Sequence, residues 1–169
     1  MRRRHGRDAG HRQLVRCAAT GDGVLKIGTL LPQTGSLAIL GPPEIAGVNL
    51  AISEINAAGG VLGKQVVVSH TDSGDTSTDI ATQSVNKLLS ESVDAVVGAA
   101  SSSVSLSVID KITGAGVVQF SPANTSDEFS TYADKGLYFR TAPPDALQGR
   151  VLGDLIIADG NAKVGLLSA

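Results

Sequence analysis

The sequence predicts an α/β protein built on a parallel, doubly wound sheet. Three observations carry that expectation. Short runs rich in Val, Ile and Leu recur along the chain, at 25–31 (LKIGTLL), 65–70 (QVVVSH), 93–99 (VDAVVGA) and 117–121 (VVQFS). Segments with helical apolar spacing separate them. The runs are apolar almost throughout rather than alternating, which is the pattern of strands covered on both faces by helical crossovers.

Taken in order, Leu25 to Leu31 reads as the first buried strand. Pro42-Pro43-Glu44 then opens a helix, because proline is tolerated where its missing N–H would be unpaired anyway and a carboxylate is favoured near the positive end. Ile45, Val48, Ile52 and Ile55, at spacings of 3, 4 and 3, give this helix its apolar stripe, and Gly59-Gly60 ends it. Gln65 to His70 is the second strand. A helix is expected from Thr76 to Ser90, with Thr76-x-x-Asp79 as a weak capping box and Ala81, Val85 and Leu88 facing inward. Val93 to Ala99 is the third strand, and a helix from Ser103 to Thr113, capped by Ser103, turns Leu106 and Ile109 to the core. Val117 to Ser121 is the fourth strand.

Beyond Pro122 the rhythm breaks. A polar loop carries Asn124-Thr125-Ser126, formally a glycosylation sequon, although such triplets are common by chance. Leu137 to Arg140 is a short strand. A helix capped by Asp145 should bury Leu147, Val151, Leu152 and Leu155 and stop at Gly160, after which Lys163 to Leu167 begins another strand. No crossover follows that strand, so the sheet is expected to be truncated.

Charge divides the chain. Residues 1–21 hold six Arg against one Asp, whereas 22–169 hold eight basic and fifteen acidic side chains, within a net charge of -2. An acidic body argues against a nucleic-acid surface, and no nucleic-acid partner is expected. The basic head lacks the apolar core of a signal peptide, so residues 1–23 are expected to be a disordered leader. No apolar run approaches the roughly 20 residues that a bilayer requires.

Enzymatic signatures are missing. No G-x-G-x-x-G follows the first strand, 60–65 (GVLGKQ) has neither the spacing nor the hydroxyl of a phosphate loop, and no G-x-S-x-G elbow occurs. His5, His11 and His70 are too few and too scattered to ligate a metal, and Cys17 has no partner cysteine. No catalytic residue, metal or cofactor is expected. His70 reads as a solvated or capping residue, and Asp72, Asp75 and Asp79 as loop and cap residues.

Binding without reaction remains. In open parallel sheets, ligands lie at the carboxyl ends of the strands, where helix N-termini present free N–H groups. Three segments reach that edge: 32–43, 99–103 and 122–125. One serine would cap a helix, but Ser101, Ser102 and Ser103 stand together, which leaves at least one hydroxyl to face a ligand carboxylate.

Leu30-Leu31-Pro32-x-Thr34-Gly35, the stretch 54–63 (EINAAGGVLG), 97–103 (VGAASSS), 121–125 (SPANT) and 140–149 (RTAPPDALQG) resemble, in that order, the leucine/isoleucine/valine-binding group of type I periplasmic binding proteins. The resemblance covers about residues 24–169. It implies two α/β lobes closing over an amino acid, here with 24–141 as an incomplete first lobe and 142–169 as the start of the second. By that resemblance, Ser102 binds the ligand carboxylate and Thr125 assists it. Ala123 offers its carbonyl to the ammonium, Ser101 and Ser103 flank the anchor, and Leu40 packs on the ligand's apolar group.

The implied role is the substrate-binding component of an ABC importer, with a branched-chain amino acid as ligand and permease subunits as partners. A ligand-sensing receptor or regulatory domain on the same fold is the alternative. The implied location is periplasmic or extracellular. Membrane contact would come only through the permease or a lipid anchor. Such an anchor is not expected here, since Arg16 precedes Cys17 where lipoproteins carry a small residue.

Overall fold

A computed structural model describes residues 21–166. The basic head up to residue 20, with Cys17, and the last three residues lie outside the described residues. Five strands form one sheet: β1 (Lys26–Leu31), β2 (Val67–Asp72), β3 (Ala95–Gly98), β4 (Val118–Ser121) and β5 (Tyr138–Arg140). All neighbouring pairs are parallel, in the order β2-β1-β3-β4-β5. The doubly wound α/β class expected from the sequence is the class observed.

Four helices accompany the sheet: α1 (Gly41–Ala57), α2 (Ile80–Ser90), α3 (Ser102–Gly114) and α4 (Asp145–Ala158). The helices α1 and α2 lie on opposite faces. A side chain at Gly28 would strike Leu88 of α2, whereas the next residue, Thr29, bonds His70, whose other ring nitrogen reaches Asn49 of α1 (each contact 2.9 Å). Successive residues of a strand point to opposite faces, so these two contacts identify the sides. The chain therefore leaves β1 toward one face and β3 toward the other, and the order reverses between them.

The core lies under α2 and α3. Leu30, Val85, Leu88, Val96, Ala99, Val104 and Ile112 are fully or almost fully buried there. Ala81, Val85 and Leu88 face inward as the periodicity predicts. Ile109 forms a second cluster with Phe129 and Tyr138, against which Leu106 packs. The α1 stripe is shallower, with Ile55 39% exposed.

Several expectations need correction. The second helix starts at Ile80, not Thr76, and makes no side-chain cap bond at Asp79. Asp75 instead accepts the N–H and hydroxyl of Ser77, a turn that competes with the capping box. His70 is half-buried and caps no helix; its ring ties α1 to the sheet. Asp145 is the first residue of α4, with Pro144 at the cap position and no cap bond from it. Leu147, Val151, Leu152 and Leu155 are exposed rather than buried, because among the described residues no element covers their face. Residues 161–166 form no strand.

Candidate functional site

The carboxyl edge of the sheet is built from three turns. After β1, residues 33 and 34 wrap around Asp72 at the end of β2. Its carboxylate accepts the N–H groups of Gln33 (2.8 Å), Thr34 (3.2 Å) and Gly74 (2.8 Å) and the Thr34 hydroxyl. Burial works to raise the Asp72 carboxyl, but the Thr34 hydroxyl and these N–H groups outweigh it and hold it below its ordinary value. Asp72 is thus the last residue of β2 rather than the loop residue expected, and its carboxylate ties down the loops that follow β1 and β2. Leu40 sits in the short 3₁₀ turn that follows, Ala38–Leu40, and is 38% exposed.

After β3 the chain passes Gly98, whose φ of +130° suits glycine. A Cβ there would also collide with the Leu30 carbonyl. Ala99 and Ala100 follow, buried, and α3 begins. Ser101, not Ser103, caps α3: its Oγ accepts the Val104 N–H. Three equivalent serines cannot be told apart by type, and extended backbone at Ser101 decides between them. Ser103 is exposed. Ser105, the fourth residue of the helix, accepts the Ala99 N–H (3.0 Å) and so pins the turn from inside.

After β4, Asn124 organises the third turn. It is completely buried. Its Nδ2 donates to the carbonyls of Ala99 (3.0 Å) and Ala100 (2.9 Å), and its Oδ1 accepts the Tyr138 hydroxyl (2.9 Å). A side chain so engaged has no free amide for a sugar, so the sequon is a hydrogen-bonding hub. Ser121 Oγ donates to the Ala99 carbonyl (2.7 Å) and accepts the Asn124 N–H (3.0 Å). Arg140 clamps the outside, donating to the Ser126 carbonyl (2.7 Å) and the Ser130 hydroxyl (3.0 Å).

This scaffold brings Ser102 and Thr125 together. Ser102, the first residue of α3, accepts with its Oγ the N–H groups of Thr125 (3.2 Å) and Ser126 (3.3 Å). A hydroxyl has two acceptor sites and one proton, so both acceptor sites are used and the proton is still available. Among the described residues, neither that proton, the Thr125 hydroxyl nor the Ala123 carbonyl has a hydrogen-bond partner. Ala123 is fixed two residues away, its N–H donated to Ser121 Oγ (3.3 Å). Leu40 shares the edge, on the loop of the adjacent strand, without a hydrogen bond to the others.

Composition alone did not mark Asn124, Ser105, Ser121 or Arg140. The one available sign was a cluster of small polar residues beginning within a strand's last residue, at 121–125. Cavities of about 490 and 230 Å³ open at the other end of the strands, around Lys26, Val93 and Gly116 and around Lys26, Val67 and Val93. Among the described residues no three His, Cys, Asp or Glu side chains gather to hold a metal ion, and no helix is long and apolar enough to cross a membrane.

A doubly wound parallel sheet with unspent polar groups at its carboxyl edge, beside a helix N-terminus, has the form of a lobe of an α/β binding protein. The family model described as Periplasmic binding protein matches residues 24–169, and the chain belongs to that family, in its leucine/isoleucine/valine-binding group. It is 36% identical over 133 residues to the leucine-, isoleucine-, valine-, threonine- and alanine-binding protein of Pseudomonas aeruginosa, a match covering 78% of this chain and 35% of that one. Its structure is similar to that of the branched-chain amino acid transporter substrate-binding protein LivJ from Streptococcus pneumoniae in complex with isoleucine (TM-score 0.70, 35% identity, 79% of this chain and 38% of that one). It is also similar to an ABC transporter substrate-binding protein from Desulfitobacterium hafniense in complex with Leu (TM-score 0.65, 27% identity, 81% of this chain and 39% of that one). The chain spans about a third of the length of the curated relatives it matches.

Proposed function

We propose that this chain forms the anchoring side of an amino-acid site in the substrate-binding component of an ABC importer, with a branched-chain amino acid as ligand. Residues 24–141 make the first lobe and residues from 142 lead into the second. The observation that carries the reading is the state of Ser102: two backbone N–H groups load its oxygen, so its own proton is polarised and directed to a further acceptor. At the N-terminus of a 13-residue helix, that acceptor is best an anion.

The basic side chain of this edge, Arg140, is engaged with backbone carbonyls and the Ser130 hydroxyl, which suits a carboxylate held by hydroxyls and peptide dipoles. Thr125 supports Ser102 through its hydroxyl, the Ala123 carbonyl takes the ammonium, and Leu40 offers an apolar surface to the side chain. Ser101 serves the site as the cap of α3, while Ser103 lines the rim. The relatives bound to isoleucine and to Leu support this ligand class. The partners are the permease subunits of the importer, and the place of action is periplasmic or extracellular.

Titration with leucine, isoleucine and valine, followed by amide chemical shifts, tests the reading. Saturable shifts at Ser102, Ala123 and Thr125 are expected. Ser102→Ala should weaken the response about 10- to 100-fold, the worth of a hydrogen bond to a charged group. Failure of every amino acid to shift these amides would overturn the assignment.

A further inference from the structure

The helix α4 buries no residue, and the hydrogen bonds that join it to the rest of the protein lie in its first turn. The Asp145 N–H donates to the Thr125 carbonyl (2.8 Å), and the Ala146 N–H donates to the Asp127 carboxylate (3.2 and 3.4 Å). Just before the helix, the Thr141 hydroxyl donates to the Pro122 carbonyl (2.9 Å). Every acceptor belongs to the turn that follows β4. That turn also holds Ala123 and Thr125.

Thr125 therefore has two attachments. Its N–H is spent on Ser102, at the ligand edge, and its carbonyl on Asp145, at the entry to α4. Pro144 at the cap position has no side-chain acceptor to offer the first turn, and Asp127, nineteen residues upstream of Ala146, supplies one in its place. A carboxylate is also favoured by the dipole at this end of the helix.

We propose that Asp127 is a positioning residue for the ligand site: by capping α4 from outside, it keeps Asp145 on the Thr125 carbonyl and thereby fixes the Thr125 N–H that loads Ser102. The angle at which α4 leaves the lobe and the readiness of Ser102 are then two readings of one hydrogen-bonded chain, Asp127–Ala146/Asp145–Thr125–Ser102. This deepens the reading of the site given above and rests on it for its meaning, but the chain of bonds is testable without ligand.

Amide hydrogen exchange in the ligand-free protein is the test. Asp127→Ala should speed exchange at Asp145 and Ala146 about fivefold or more, the usual worth of a lost cap, and Thr125 should speed up with them. Asp127→Asn keeps an acceptor oxygen and should restore all three. In the reciprocal experiment Ser102→Ala should speed exchange at Asp145 as well as at Thr125 and Ser126, while Val96 in the core is unchanged. A response to Asp127→Ala confined to α4, or a Ser102→Ala response that stops at Ser126, would overturn the relay. A relay present in the free protein without any response to added leucine, isoleucine or valine would support it and overturn only the amino-acid reading.

Discussion

Asn124 shows how much one side chain settles at this edge. It bonds two carbonyls of the β3 turn and one hydroxyl of β5 from a fully buried position, so removing it leaves the Ala100 carbonyl and the Tyr138 hydroxyl without partners, while the Ala99 carbonyl keeps the Ser121 hydroxyl. Asn124→Ala should cost about 2–4 kcal/mol, and Tyr138→Phe, which removes one of those bonds, only about 1 kcal/mol. Chemical denaturation of the two variants checks the ranking, and equal costs would sink the hub. Two titrations should shape stability against pH. The depressed Asp72 carboxyl contributes stability that is present above its ordinary value of 3.8 and is lost as pH falls through its lower folded value. Tyr138 is pushed up to about 12, chiefly by burial and against the pull of Arg140 and Ser121, so its contribution is present below the ordinary value of 10 and is lost as pH rises toward 12. Melting curves across both ranges, with Asp72→Asn flattening the acid limb, test these signs.

Strands and helices differ in how openly the sequence declared them. Continuous Val-rich runs can satisfy little except a strand covered on both sides, and β1, β3 and β4 fall within the predicted segments. Caps were harder to read, because Ser101, Ser102 and Ser103 are chemically identical and only backbone geometry separates a cap from a ligand donor. Burial was the hardest, since periodicity locates an apolar stripe without saying what lies against it. The contrast between α2 and α4 follows: Leu88 is wholly buried and Leu155 is 55% exposed. Leu88→Ala should therefore cost about 2–5 kcal/mol and Leu155→Ser less than about 0.5 kcal/mol, as thermal melting would show. The candidate site was proposed from its hydroxyls, whereas its scaffold was hidden. Asn124, Ser105 and Arg140 act through backbone groups distant in sequence, which residue types alone do not announce.

Across the whole molecule, α1 covers only the β1–β2 side of its face of the sheet. Phe120 and Phe139, stacked at 6.4 Å, stand outward on the other side and are 39% and 48% exposed. An aromatic pair left uncovered by the described residues, beside a short edge strand, favours association. Sedimentation at rising concentration should show self-association that the double change Phe120→Ser, Phe139→Ser relieves, and a monomer at every concentration would contradict this. The reversal of chain direction between β1 and β3 has a different consequence. There the loops part because their helices go to opposite faces, so a crevice at this edge would be set by the route of the backbone and not by the size of any side chain. On the function proposed above, substitutions at this edge would change which ligand is recognised while the backbone kept the place to bind.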